Sequence, residues 1–201
     1  KTNSTCSFGI KEMVSITKLP IIIELSEYGG NYSSYINAVY AIFHKDFIRH
    51  KTSFGSHELQ MKFNPMYQER AYTFYHMTHE GKVESERTPD LRRCERIGWA
   101  RPCIENVESW SLKFWRQNRQ RSSNRVCILL DVEEDYDYFV ILEVRGTYVL
   151  LWTAFISQCH HETRKKLKEY EEWKKNEGNN VNTPDQLIEI IRNEIKRVIY
   201  Q

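Results

Sequence analysis

No apolar run in this 201-residue chain approaches the ~18–20 consecutive residues that a membrane-spanning helix needs. The longest candidate near the start, "PIIIEL" at Pro20–Leu25, is too short for the apolar region of a signal peptide. No membrane partner is expected, and the chain reads as cytoplasmic. Five cysteines, Cys6, Cys94, Cys103, Cys127 and Cys159, are odd in number and widely spaced, with no C-x-x-C pair. That excludes a disulfide scaffold or a zinc ribbon and favours reduced, buried thiols. A large excess of one charge is also missing. The net charge of +2 argues against a polybasic DNA coat or a membrane-surface protein, so any anion binding is local.

Signature loops are absent as well. There is no glycine-rich phosphate loop, G-x-S-x-G elbow or H-E-x-x-H pair, and no cofactor is expected. The acidic run Asp131, Glu133, Glu134, Asp135 and Asp137 lacks the glycine and the closing glutamate of a calcium loop, and reads as a solvated turn. His76 and His79 lie three apart; on a strand they would face opposite sides, which makes a poor chelate, so no metal site is expected.

What is present is material for a core: 40% hydrophobic residues, with 12 tyrosines, 9 phenylalanines and 5 tryptophans. Each aromatic can bury roughly 150–250 Å². "IIIEL" reads as a short strand stopped by Gly29–Gly30. Tyr35, Ile36, Val39, Tyr40 and Phe43 recur at helical steps and predict an amphipathic helix over 33–47. "AYTFYHMT", Ala71 to Thr78, is rich in β-formers and predicts a strand.

Thr88-Pro89-Asp90 reads as a helix start, with Thr88 as cap, and the helix should run to about Ile97 before Gly98 and Pro102 interrupt it. "SLKFWRQNRQRSSNR", Ser111 to Arg125, carries five basic residues and no acid, and its polar tail reads as a flexible connection. "VCILLDV", "YDYFVILEV" and "TYVLLWTAFI" are strand-like runs joined by short links, hence an antiparallel meander. With Arg145–Gly146 as a two-residue loop, Val144 pairs with Thr147 and Tyr138 with Thr153, placing those hydroxyls side by side. A charged helix follows from about His161 to Lys175. Thr183-Pro184-Asp185-Gln186 then starts a last helix with a capping box. The fold class is α+β, with helices around a late antiparallel sheet.

Three features could carry chemistry. Arg92, Arg93 and Arg96 adjoin on one helix surface and could converge on an anion. Spacing alone leaves two readings open: an anion site, or a solvated helix face partly neutralised by Glu95. His76 sits in an aromatic run and titrates near neutrality, which suits a general acid or base as well as a hydrogen-bonded structural role. Tyr138 and Thr153 are hydroxyls within apolar strand runs, where either could be structural.

The succession "FYHMT", "PDLRRCERIGWARPCIEN", "RVCILL", "DYFVILEVRGTYVLLWTAF" and "HETRKKLKEYE" resembles the phage-associated branch of the barnase–EndoU–colicin–RelE nuclease superfamily over about Tyr72–Glu172, with "HKDFIRH" before it. The resemblance implies an N-terminal helical part packed on an antiparallel sheet of about four strands, with the active site on an exposed sheet face. It divides the chain into an N-terminal region over 1–70, a nuclease-like core over 71–176 and a C-terminal helix over 177–201.

The implied activity is metal-independent RNA cleavage, often of tRNA, in toxin and phage-conflict systems. That reaction needs a base for the ribose 2′-hydroxyl, an acid for the departing oxygen and cations for the phosphorus-centred transition state. The resemblance assigns His76 a proton-transfer role, Arg93 and Arg96 the phosphate, and Thr153 a hydrogen bond to a phosphate oxygen, with Glu95 orienting an arginine or acting as base. Arg92, Lys113, Arg116, Arg119, Arg125 and Arg145 would guide the RNA backbone, and Tyr138 would contact RNA. A toxin of this kind also implies an acidic antitoxin or inhibitor protein as partner. A non-catalytic RNA- or protein-binding module on the same fold is the alternative.

Overall fold

A computed structural model describes residues 19–117, 124–132, 137–157 and 160–199. None of its helices among these residues is long and apolar enough to cross a membrane. The architecture is α+β, built on a six-stranded mixed sheet in the order β1-β2-β8-β7-β6-β5. Its core is the expected three-strand meander with one further strand, Lys113–Gln117, at its edge. β5 (Lys113–Gln117), β6 (Arg125–Asp131), β7 (Asp137–Val144) and β8 (Val149–Ser157) pair antiparallel in sequence order.

The sheet is larger than the four strands expected, because a hairpin of β1 (Ser53–Phe54) and β2 (His57–Gln60) joins it. β2 lies parallel to the start of β8, with Leu59 opposite Val149. The apolar head of the Ser111–Arg125 stretch supplies β5, where Trp115 is fully buried, while most of its polar tail, expected to be a flexible connection, lies outside the described residues. A separate two-stranded sheet pairs β3 (His79–Glu80) with β4 (Thr88–Pro89).

The helical part differs from expectation in three places. "IIIEL" is not a strand. Ile23 donates one backbone bond to the Glu95 carbonyl (3.0 Å), and the chain then enters a 3₁₀ turn, Leu25–Tyr28. "AYTFYHMT" forms α2 (Tyr72–Thr78), six of whose seven residues are buried. An element buried all round has no polar face, so helix and strand periods cannot be told apart in it. The third difference concerns α3 (Leu91–Glu95). Its cap is Asp90, whose carboxylate accepts from the Arg92 and Arg93 amides, while Thr88 is spent on β4. After a 3₁₀ turn, Ile97–Trp99, α4 (Ala100–Glu105) begins with Pro102 in its first turn, where a missing N–H breaks no helical bond.

α1 (Tyr32–Phe43) runs over the residues its periodicity marks, buries Tyr35, Ile36, Val39 and Phe43, and continues into a π-helical segment, His44–Arg49. It packs on α2 through Phe43 and Phe74, whose ring centroids lie 5.3 Å apart. Two long helices complete the fold. α5 (His160–Asn176) covers one sheet face, with Tyr170 against Trp115 at 5.6 Å. Gly178 then turns the chain against the Trp173 ring, so closely that a Cβ there would lie 2.4 Å from it. α6 (Pro184–Ile199) opens on the anticipated capping box: Gln186 Oε1 accepts from the Thr183 amide (3.2 Å) while the Gln186 amide donates to Thr183 Oγ1 (3.3 Å).

Candidate functional site

The register of β8 carries one irregularity that organises the site. Ile141 pairs with Thr153 and Leu142 with Leu151, which leaves Trp152 without a partner in a bulge. A bulge re-aims a side chain and commonly sits beside a functional surface. Here it turns Trp152 to the face of Thr153 and Phe155, where the Arg125 guanidinium lies 4.3 Å from its ring centroid. Arg125 stands opposite Glu143 on β7 and opposite Gln117 on β5. Gln117 is fully buried, and neither of its amide atoms has a hydrogen-bond partner among the described residues.

A second guanidinium repeats the arrangement three residues along β8. Arg93 lies 5.5 Å from the Phe155 ring centroid, and its Nε donates to Asp90 Oδ2 over 3.0 Å. Since Asp90 also caps α3, one carboxylate both starts the helix and aims the arginine. Phe155 stacks on Phe139 at 5.4 Å, and the pair opens into a groove of about 630 Å³ beside α5, lined further by Ser157, His161, Glu162, Lys165, Lys166 and Glu169.

His76 approaches Trp152 from α2, with ring centroids 5.5 Å apart, and lies against Tyr72 at 4.4 Å on another side. The imidazole is 6% exposed, and its Nε2 has no hydrogen-bond partner among the described residues. Burial lowers its pKa to about 4; the Arg87 guanidinium pushes the same way, as do Lys62 and Arg93, against the opposing pull of Glu84. At neutral pH the ring is therefore uncharged.

Glu84 holds the wall of this pocket: Tyr67 donates to its carboxylate (3.2 Å), Tyr75 donates to its carbonyl (3.0 Å), and Tyr72 bonds its side chain. The tyrosine bonds keep its carboxyl below the ordinary glutamate range. Arg87 adds a buried Nε without a partner among the described residues.

The residues singled out from sequence divide sharply. His76, Arg93 and Arg125 come together around the β8 aromatics. Thr153 is beside them, but its hydroxyl donates to the main-chain carbonyl of His76 (2.8 Å) and so ties β8 to α2. Arg96 and Glu95 neutralise each other across 2.6 Å, and Arg96 leans over Trp99 rather than toward His76. Arg92 is exposed on α3.

Tyr138 is buried and does not join the β8 arginines. Its partner across the sheet is Ile156, since the loop after β7 sets Val144 against Val149 and the bulge at Trp152 shifts the register by one more residue. The ring lies in the core on the opposite face, against Trp99, with its hydroxyl directed at the Arg96 carbonyl. Arg116 is 7% exposed and doubly bonded to Glu194. Lys113 lies over Tyr170, 5.9 Å from its centroid. Arg145 pairs with Glu143 at the end of β7. Arg119 lies outside the described residues, as do Glu133, Glu134 and Asp135 of the acidic run.

Sequence reasoning missed Trp152, Phe155, Arg87, Glu84, Lys62 and Gln117. A signal existed for the first two, since "WTAF" places aromatics around a threonine in a strand, but an uninterrupted strand would have put them on opposite faces. Among the described residues no group of three His, Cys, Asp or Glu side chains could hold a metal ion. No protein-family model, no curated protein and no solved structure matches the chain.

Proposed function

We propose that the protein is a metal-independent endoribonuclease of the toxin or phage-conflict type, whose RNA backbone lies across the end of β8. One observation carries the reading: Arg125 and Arg93 each stand over an aromatic ring of the same strand face, and the His76 imidazole, its Nε2 without a partner among the described residues, lies against the first of those rings. Guanidinium groups seated on aromatics supply fixed charge for a phosphate, and the same rings offer stacking surface to a base. His76, uncharged at neutral pH, takes the proton from a ribose 2′-hydroxyl. The oxygen attacks phosphorus, the bond to the 5′-oxygen breaks, that oxygen takes a proton from solvent, and a 2′,3′-cyclic phosphate remains. Arg93 and Arg125 hold the charge that builds on the phosphoryl oxygens. Because His76 is buried against Trp152 and Tyr72, RNA reaches Nε2 only as one of these rings moves aside.

A second reading, a non-catalytic RNA-binding module on the same surface, is favoured by that burial and by the commitment of the Thr153 hydroxyl to the main chain. One assay separates them. The protein is incubated with total RNA, including tRNA, in EDTA, and cleavage ends are mapped for wild type, His76→Ala, Arg93→Ala and Arg96→Ala. Cyclic-phosphate ends lost in the first two variants and retained in Arg96→Ala support the enzyme. Binding without cleavage selects the module, and cleavage untouched by His76→Ala and Arg93→Ala discards this site.

A further inference from the structure

Away from β8, the outer side of α1 and its π-helical extension carries a second concave surface of about 290 Å³, lined by Asn37, Tyr40, Ala41, His44, Lys45 and Arg49. Three of these six are basic and none is acidic. Lys45 and Arg49 are exposed, whereas Asp46, the acid between them, points inward and faces Arg101 at 3.7 Å.

The π-helix explains the lining. Four-residue steps drift around an α-helix of about 3.6 residues per turn, and the wider turn of a π-helix undoes part of that drift. The backbone bond from the His50 amide to the Lys45 carbonyl (3.1 Å) spans such a turn and brings Arg49 back into line with Lys45 and Ala41. A third cation, beside Lys45 and Arg49, is fixed at the rim. Arg70 donates to Asn37 Oδ1 (2.6 Å) and to Gln68 Oε1 (3.0 Å), with its guanidinium 5.7 Å from the Tyr40 centroid. Arg70 immediately precedes Ala71, the cap of the helix that carries His76.

Resting on the ribonuclease reading, we propose that this surface is a second phosphate-binding site for the same RNA strand, so that the substrate is a polynucleotide held at two places rather than a short oligonucleotide. Exposed cations along one helix face, with the acid between them, Asp46, turned inward to Arg101, suit successive backbone phosphates, and each phosphate held releases counterions on binding. The chemistry at His76 and the grip at Lys45 and Arg49 are then separable. Longer RNA gains affinity from the second site, while a dinucleotide does not reach it.

The test uses the full chain and 2′-O-methyl RNA, which lacks the nucleophile, so binding is read independently of cleavage. Anisotropy is measured in EDTA over a salt series for a 20-mer and a trinucleotide, with wild type and Lys45→Glu/Arg49→Glu. The 20-mer is expected to bind the wild type at least tenfold more tightly than the variant, and the slope of log affinity against log salt should fall by about 0.7 for each phosphate that the variant no longer neutralises. Trinucleotide binding should not change.

Both positions are exposed, and an unaltered thermal midpoint identifies a folded variant; Lys45→Gln/Arg49→Gln gives the same readout with a milder change. Unchanged 20-mer affinity and slope in both variants overturn the proposal. So does an equal loss for the trinucleotide, which would indicate a general field rather than a site. An acidic protein that binds here while RNA does not also overturns it. Absence of cleavage by wild type would sink the ribonuclease reading alone, since the length-dependent binding stands or falls on these measurements.

Discussion

The Thr153 hydroxyl donates to the main-chain carbonyl of His76 over 2.8 Å, joining the bulged strand β8 to the helix that carries the buried imidazole. α2 also reaches β8 through Thr73, whose hydroxyl lies 3.4 Å from the Leu151 carbonyl. The strand edge left open beyond β2 is therefore covered by a helix, and the position of His76 depends on side chains that serve as sheet caps.

Thr153→Val removes that bond without changing volume much. It should cost about 1–2 kcal/mol in stability, because the buried carbonyl loses its donor. Thr153→Ser should restore most of the loss. Urea denaturation of the two variants checks this. Equal midpoints for valine and wild type would remove Thr153 from any positioning role.

Acid should weaken the fold through His76. Its pKa falls from the ordinary 6.5 to about 4 on folding, so between these values the unfolded chain binds more protons. The stability it contributes is complete above about pH 6.5 and is lost as pH falls toward 4. His79 and His57, also depressed chiefly by burial, act in the same sense. Thermal midpoints between pH 7 and 4.5 should fall less steeply for His76→Gln than for wild type. If RNA cleavage is observed, its acid limb should lie near 4 rather than 6.5.

Asp90 separates capping from aiming. Asparagine caps helices about as well as aspartate, so Asp90→Asn should change stability by less than about 0.5 kcal/mol. Yet it removes the charged partner that orients Arg93. Cleavage or RNA affinity should fall about tenfold while the melting temperature holds, as expected when one charge-assisted hydrogen bond is removed. A drop in both together would make Asp90 merely structural.

Arg116 should behave as a core residue despite its charge. With Glu194 holding both terminal nitrogens, Arg116→Ala strands a carboxylate and empties buried volume. A loss of about 2 kcal/mol is expected, less than for a fully buried pair because Glu194 is partly exposed. RNA affinity should not change. Weaker RNA binding by a stably folded variant would return Arg116 to the binding surface.

Much of the fold was legible in local pattern. The α1 face, the late antiparallel meander and the Thr183–Gln186 capping box all follow from period or from cap chemistry, which act over a few residues. α2 was not legible, because burial on every side removes the polar half of the pattern. The arginine helix was recognisable, but which arginine pairs with which acid was not. Arg93 and Arg96 lie three apart, yet Asp90 aims one toward Phe155 while Glu95 neutralises the other.

By itself, the sequence determined the fold class, the supply of core aromatics, the near-neutral net charge with basic clusters, and the elements whose hydrophobic period shows on one side. Only the tertiary structure decided that Trp152 sits in a bulge, that Tyr138 and Thr153 lie on opposite sheet faces, and that His76 meets Arg93 and Arg125 around one strand. Strand alternation reverses with a one-residue slip, and a slip is set by pairing energies summed across the whole sheet. No short stretch of residues contains that sum.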